Sequence, residues 1–237
     1  RTIEALKESD RANSRFSLDG GVIAQVRRAP LGVCLSMGPF NSPLNETYTT
    51  LIPALIMGNP VVVKPPRFGL LLHQPLLEAF AASFPPGVVN FIYGDGATII
   101  SPIMKSGRVD VLAFIGSSRV ADVLKLQHPR PHRMRCILGL DAKNPGLILP
   151  DADLDLAARE CVTGALSYNG QRCTALKILF VHETVAGPFL DRMVAAIQAL
   201  PVGMPWDAAV KITPLPEPDK AAVLTRYVED AVARGRS

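Results

Sequence analysis

The chain has 237 residues, 48% hydrophobic and 19% charged, which excludes a disordered polymer and allows one large domain or two small ones. The net charge of +4 is mild. The basic stretch Arg130–Arg135 carries Pro131 and His132, with His128 just before it, but no aromatic platform, so it reads as a solvated loop rather than a nucleic-acid surface. No apolar run is long enough to span a bilayer and the N-terminus is polar, so neither a membrane nor a secretory route is expected. Cys34, Cys136, Cys161 and Cys173 form no CxxC pair and no metal-like spacing with the histidines, which predicts free thiols in a reducing cytoplasm and no bound metal.

In chain order, residues 1–15 read as a charged helix tail with Ile3 and Leu6 on one edge. Two short apolar runs then flank Asp19-Gly20-Gly21, predicting a hairpin over 15–28. From Leu31 short apolar strands alternate with helices. Strands are predicted at 32–36, 60–64, 88–93, 111–115 and 135–138, and helices at 46–57, 70–83 and 118–127. Uniformly apolar strands joined by helices indicate a parallel sheet covered on both faces, with ligands beyond the strand C-terminal ends. The expected class is therefore α/β: a doubly wound, Rossmann-like cofactor domain at 1–138 and part of a second α/β domain at 139–237. In the second part, strand 146–149, helix 154–167, strand 177–181 and helix 184–200 follow, then Pro214, Pro216 and Pro218 and a last helix from Asp219.

The stretch Tyr168-Asn169-Gly170-Gln171-Arg172-Cys173-Thr174-Ala175 joins helix 154–167 to strand 177–181. A cysteine after a glycine-led turn can sit at the rim of a crevice, where a neighbouring guanidinium and helix-end amides favour the reactive thiolate. Composition alone would make Cys173 a core residue, as free cysteines are among the most buried residue types.

This octapeptide, with several motifs in the same order elsewhere between about Ala29 and Pro218, resembles the aldehyde dehydrogenase family, and within it the non-phosphorylating NADP-dependent branch that acts on glyceraldehyde 3-phosphate. The resemblance makes Cys173 of Gly170-Gln171-Arg172-Cys173 the nucleophile. It makes Asn41, in Met37-Gly38-Pro39-Phe40-Asn41, a side-chain donor to the oxyanion alongside the Cys173 amide; by residue type alone, Asn41 could equally cap the following helix. The aldehyde would become a thiohemiacetal on Cys173, then a thioester as hydride leaves to the nicotinamide. Arg172, with Thr174 beside it, implies a phosphorylated aldehyde, since guanidinium groups pair well with phosphate. The alternative is that Arg172 only tunes the thiol.

For the cofactor, Phe114-Ile115-Gly116-Ser117-Ser118 opens a helix after a strand and resembles the family's phosphate-binding turn, with Val120 retained and Ala121 where a glycine is usual. Pro39, Phe40, Lys64, Gly96 and Leu140 are cofactor-binding positions by the same resemblance. Arg67 stands where relatives that prefer NAD place a glutamate, which implies NADP, with NAD as the alternative. The hairpin implies a homo-oligomer.

Two departures stand out. In Gly139-Leu140-Asp141-Ala142-Lys143-Asn144-Pro145 the family's water-activating glutamate is replaced by Gly139, leaving Asp141 as a possible surrogate base. That loss implies slow thioester hydrolysis, or transfer of the acyl group to coenzyme A. The C-terminal Glu-x-Phe motif of the family has no counterpart after Pro218. The expectation is an internal fragment of a longer enzyme, either active or non-catalytic with at most weak nucleotide binding.

Overall fold

The computed structural model describes residues 1–235. They fall into two compact units, Arg1–Asp141 and a second beginning at Ala142. The first opens with helix α1 (Thr2–Asn13) and a hairpin of β1 (Ser17–Asp19) and β2 (Val22–Ala24). Gly20 and Gly21, at φ 54° and 83°, supply the positive angles that a two-residue turn needs to match strand twist. Every strand residue of the hairpin is exposed.

A five-stranded parallel sheet organises this unit. Its elements in chain order are β3 (Cys34–Met37), α2 (Asn45–Ile56), β4 (Val61–Lys64), α3 (Gln74–Ser83), β5 (Val89–Phe91), α4 (Gly96–Lys105), β6 (Val111–Ile115), α5 (Ser118–Gln127) and β7 (Arg135–Gly139). The strand order is β5-β4-β3-β6-β7. The chain therefore winds outward from β3 in one direction, returns to β3 and winds outward in the other. The period-2 alternation of strand side chains divides the residues between two faces. Cys34, Val61, Val63, Val111 and Ala113 pack with Leu51 of α2 and Phe80 of α3. Leu35, Leu112 and Phe114 pack with Ile100 and Met104 of α4 and Leu124 of α5. Leu35, Leu51 and Leu112 have no exposed surface, and burying each contributes about 1.5–3 kcal/mol.

Helix α4 is absent from the sequence reading. Asp95 caps it by accepting from the Thr98 N–H, and Ile99, Ile100, Ile103 and Met104 form its core stripe. Pro102 sits inside it and masks the helical signal. The predicted helices at 70–83 and 184–200 both begin as 3-10 turns, Leu70–His73 and Glu183–Val185.

In the second unit β8 (Asn144–Ile148) and β9 (Leu176–Val181) pair in parallel, joined by the crossover helix α6 (Leu154–Leu166) and followed by α7 (Ala186–Gln198) and α8 (Lys220–Ala233). Ile148, Ala158, Cys161 and Phe189 form its core, with Leu176, Leu179, Val181 and Met193 against them. Leu147 and Phe180, alternate residues on the opposite face of the pair, are 69% and 55% exposed. Among the described residues no helix is long and apolar enough to cross a membrane.

Candidate active site

The reversal of winding at β3 and β6 is a topological switch point, where open parallel sheets bind ligands beyond the strand C-termini. The sequence-predicted cofactor residues of the first unit lie at or next to these ends. Pro39 and Phe40 follow β3, and the Phe40 ring meets Phe68 edge-on at 5.8 Å between centroids. The exposed Arg67 guanidinium lies 5.3 Å from the Phe68 centroid, so a cation and two rings share the space after β3 and β4.

Lys64 ends β4 half-buried. Burial lowers its ammonium below the ordinary lysine value, and the Asp95 charge opposes that shift. Gly96 is beside it: a Cβ there would sit 3.9 Å from Lys64 Cε. The Asp95 carboxylate is held below its usual range, first by the Thr98 backbone N–H and then by the Thr98 hydroxyl.

Phe114 belongs to the core, 6% exposed, and its ring lies under Gly116, where a Cβ would come within 2.5 Å of Phe114 Cζ. It supports the Gly116-Ser117 turn from below. Ser117 is the N-cap of α5, its hydroxyl accepting from the Val120 N–H. Val120 is 37% exposed on the first turn, and Leu140 packs half-buried against the core.

Asp141 Oδ2 accepts from the Ser118 N–H at 2.9 Å and from Ser118 Oγ at 2.8 Å. The carboxylate thus lies on the N-terminal end of α5, where the helix dipole favours an anion. As a surrogate base it would have to release these two donors. Gly139 pairs with Ile115 across β6 and β7, and a Cβ there would stand 3.2 Å from Ile115 Cγ1.

In the second unit α6 ends in an unusual turn. Tyr168 (φ 54°, ψ 38°) and Asn169 (φ 57°, ψ 27°) are both left-handed, and Gly170 follows at φ 67°. Left-handed residues other than glycine cost roughly 1–2 kcal/mol each and normally occur singly. The turn closes with the Gln171 N–H donating to the Tyr168 carbonyl at 3.0 Å. Only glycine fits at 170, because a Cβ would meet the Ala165 carbonyl oxygen at 2.8 Å.

Cys173 and Thr174 then form an exposed turn ahead of the buried Ala175. The Asn144 amide donates to the Cys173 carbonyl at 2.6 Å and to the Ala175 carbonyl at 2.9 Å. Lys177 Nζ donates to the Arg172 carbonyl at 2.9 Å and to the Ala175 carbonyl at 3.3 Å. A register shift between β8 and β9 accommodates Lys177 as an extra residue, because Asn144 pairs with Leu176 while Pro145 pairs with Ile178. The thiol is therefore accessible while its backbone is tied to both strands. The Arg172 guanidinium lies 5.4 Å from the Tyr168 centroid, and its buried Nε has no hydrogen-bond partner among the described residues. Sequence reading missed the roles of Asn144 and Lys177. Asn144 served there only to align Lys143-Asn144-Pro145, and side-chain bonds to backbone carbonyls leave no periodic signal.

The model of the aldehyde dehydrogenase family matches residues 2–237. The chain belongs to the aldehyde dehydrogenase family. It is 41% identical over 215 residues to an NADP-dependent glyceraldehyde-3-phosphate dehydrogenase of Streptococcus equinus, covering 90% of this chain and 44% of the relative. A mouse retinaldehyde dehydrogenase 3 is 38% identical over 203 residues, 83% of this chain and 38% of the relative. The NADP complex of a Bacillus halodurans NADP-dependent glyceraldehyde-3-phosphate dehydrogenase superposes with a TM-score of 0.86 at 32% identity, over 99% of this chain and half of that one. This aldehyde dehydrogenase chain spans less than half the length of these curated relatives.

Proposed function

We propose that the protein of which this chain is part oxidises a phosphorylated aldehyde, glyceraldehyde 3-phosphate foremost, with NADP as the oxidant. The observation that carries the reading is the exposed Cys173 on a turn whose carbonyls are fixed by Asn144 and Lys177. The Cys173 sulfur forms a bond to the aldehyde carbon, and the carbonyl oxygen takes up the negative charge. The Cys173 N–H and the Asn41 amide are the proposed donors to that oxyanion. NADP, when bound, accepts the hydride that leaves this carbon, and a thioester stays on Cys173.

The residues of the first unit fit such a cofactor in part. Lys64 and Arg67 bring two cations to the end of β4, which suits the extra phosphate of NADP. At α5 the fit is poorer, because the Asp141 carboxylate already holds Ser118. Support for the phosphorylated substrate comes from Arg172, adjacent in sequence to the nucleophile, and from the similarity to glyceraldehyde-3-phosphate dehydrogenases. The retinaldehyde relative is nearly as similar, so substrate class turns on Arg172. Comparing glyceraldehyde 3-phosphate with unphosphorylated glyceraldehyde, in the native chain and in Arg172→Gln, tests it. The reading predicts a preference for the phosphorylated substrate that Arg172→Gln removes, and equal use of both by the native chain contradicts it.

A second reading is favoured by Gly139. With no carboxylate there to activate water, the acyl group passes to coenzyme A. A turnover rate that depends on added coenzyme A supports it.

A further inference from the structure

The left-handed pair Tyr168–Asn169 requires something outside the turn to hold it, since both residues would otherwise relax to right-handed geometry and extend α6. The Tyr168 side chain is 74% exposed, with the Arg172 guanidinium 5.4 Å from its ring centroid. Asn169 is different. Its Nδ2 donates to the Thr213 carbonyl at 3.0 Å and to Thr213 Oγ1 at 2.9 Å, while its Oδ1 accepts from the Thr213 N–H at 3.0 Å. The segment carrying Thr213 is itself fastened. The Lys211 and Ile212 N–H groups donate to the Pro201 carbonyl, and the Gly203 N–H to the Ile212 carbonyl.

We propose that Asn169, through Thr213, is a positioning residue for the nucleophile: it holds the left-handed turn from upstream, so that Cys173 is fixed from both sides. Downstream, Asn144 and Lys177 bind the carbonyls of residues 172, 173 and 175. Upstream, the amide–peptide clamp sets where Gly170 leaves α6 and hence the direction in which residues 171–173 run. Asparagine suits the position twice over, since it tolerates left-handed geometry and carries both a donor and an acceptor. A segment 44 residues away in sequence thus becomes part of the catalytic geometry. The inference rests on the reading of Cys173 as nucleophile.

The test is the rate of alkylation by iodoacetamide at neutral pH, read by peptide mass at Cys173 and, as an internal control, at the exposed Cys136. In the native chain Cys173 should react about tenfold faster than Cys136. In Asn169→Ala the Cys173-to-Cys136 ratio should fall by about tenfold, to near one, as Cys173 becomes an ordinary exposed thiol. Asn169→Gly keeps the left-handed freedom but loses the bonds, and should fall equally. Thr213→Ser keeps all three bonds and should behave as native. If Asn169→Ala fails to fold, Thr213→Val decides, with a fall of about threefold, the size of one modest hydrogen bond. A native ratio in the Asn169 variants, or in Thr213→Val, overturns the clamp alone. A native Cys173 no faster than Cys136 overturns the nucleophile reading, and the clamp with it.

Discussion

The side-chain amide of Asn144 donates to the Cys173 carbonyl at 2.6 Å and to the Ala175 carbonyl at 2.9 Å. It ties the first residue of β8 to the turn ahead of β9. Asn144→Ala should destabilise the chain by about 1–2 kcal/mol, the cost of two partly exposed hydrogen bonds, read from urea unfolding. Asn144→Asp should be at least as damaging, because a carboxylate would face two carbonyl oxygens. If both variants unfold at the native midpoint, the amide is not what holds the turn.

Gly139 predicts a defect in the second half of the reaction. Restoring a carboxylate with Gly139→Glu should raise steady-state turnover by roughly 10²–10⁴ without changing the first turnover. The new Cβ stands 3.2 Å from Ile115 Cγ1 and 3.5 Å from its Cγ2, so Ile115→Ala in the same chain, which removes both atoms, should give the variant room. Unchanged turnover in both would place the slow step elsewhere.

Asp141 should weaken nucleotide binding, since its carboxylate occupies donors at the end of α5 to which a phosphate would otherwise be drawn. Asp141→Asn keeps an acceptor for Ser118 and removes the charge. Titration calorimetry with NADP⁺ should show binding about tenfold tighter, equivalent to ~1.4 kcal/mol. Equal affinity would mean that phosphate and Asp141 do not compete.

Two buried groups of the first unit tie its stability to pH. Burial lowers the His73 imidazole below its ordinary 6.5, against an opposing backbone hydrogen bond at Pro43. The ring is stacked on Tyr48, with Nδ1 3.3 Å from its hydroxyl. The unfolded chain therefore takes up the proton first. The stability tied to neutral His73 is complete above 6.5 and is lost as pH falls through 6.5 toward the lowered native value. Burial pushes the Cys34 thiol from 9.0 up to about 11. Its contribution is complete below 9.0 and is lost as pH rises toward 11, amounting to about 3 kcal/mol. His73→Phe should flatten the acid limb of unfolding free energy against pH, and Cys34→Ala the alkaline limb. Limbs that keep their native slopes would assign the losses to other groups.

Much of this was legible in the sequence, for identifiable reasons. The inner strands β3, β4 and β6 are short and apolar, as burial within the sheet requires, and could be located to within two residues; β7, at the sheet edge and mostly exposed, was located as closely although two-faced burial does not hold for it. Helix α4 was hidden because Pro102 interrupts it and Gly94-Asp95-Gly96 reads as a turn rather than a cap. At the site, Cys173 stood out through its neighbours in sequence. Asn144, Lys177 and the Asn169–Thr213 pair did not, because each acts on backbone atoms that only the folded chain brings within reach. Asp141 was legible as a carboxylate two residues after Gly139, but its engagement with Ser118 depends on β7 ending beside α5.

In the proposed reaction Cys173 attacks an aldehyde, whose carbon then gives up hydride to NADP⁺. A single-turnover measurement of NADPH absorbance, with the purified chain, glyceraldehyde 3-phosphate and NADP⁺, tests it most directly. The native chain should give a burst approaching one NADPH per chain, followed by slow turnover, and Cys173→Ala should give none. A folded chain that gives no burst, or a Cys173→Ala variant that keeps it, would contradict the claim.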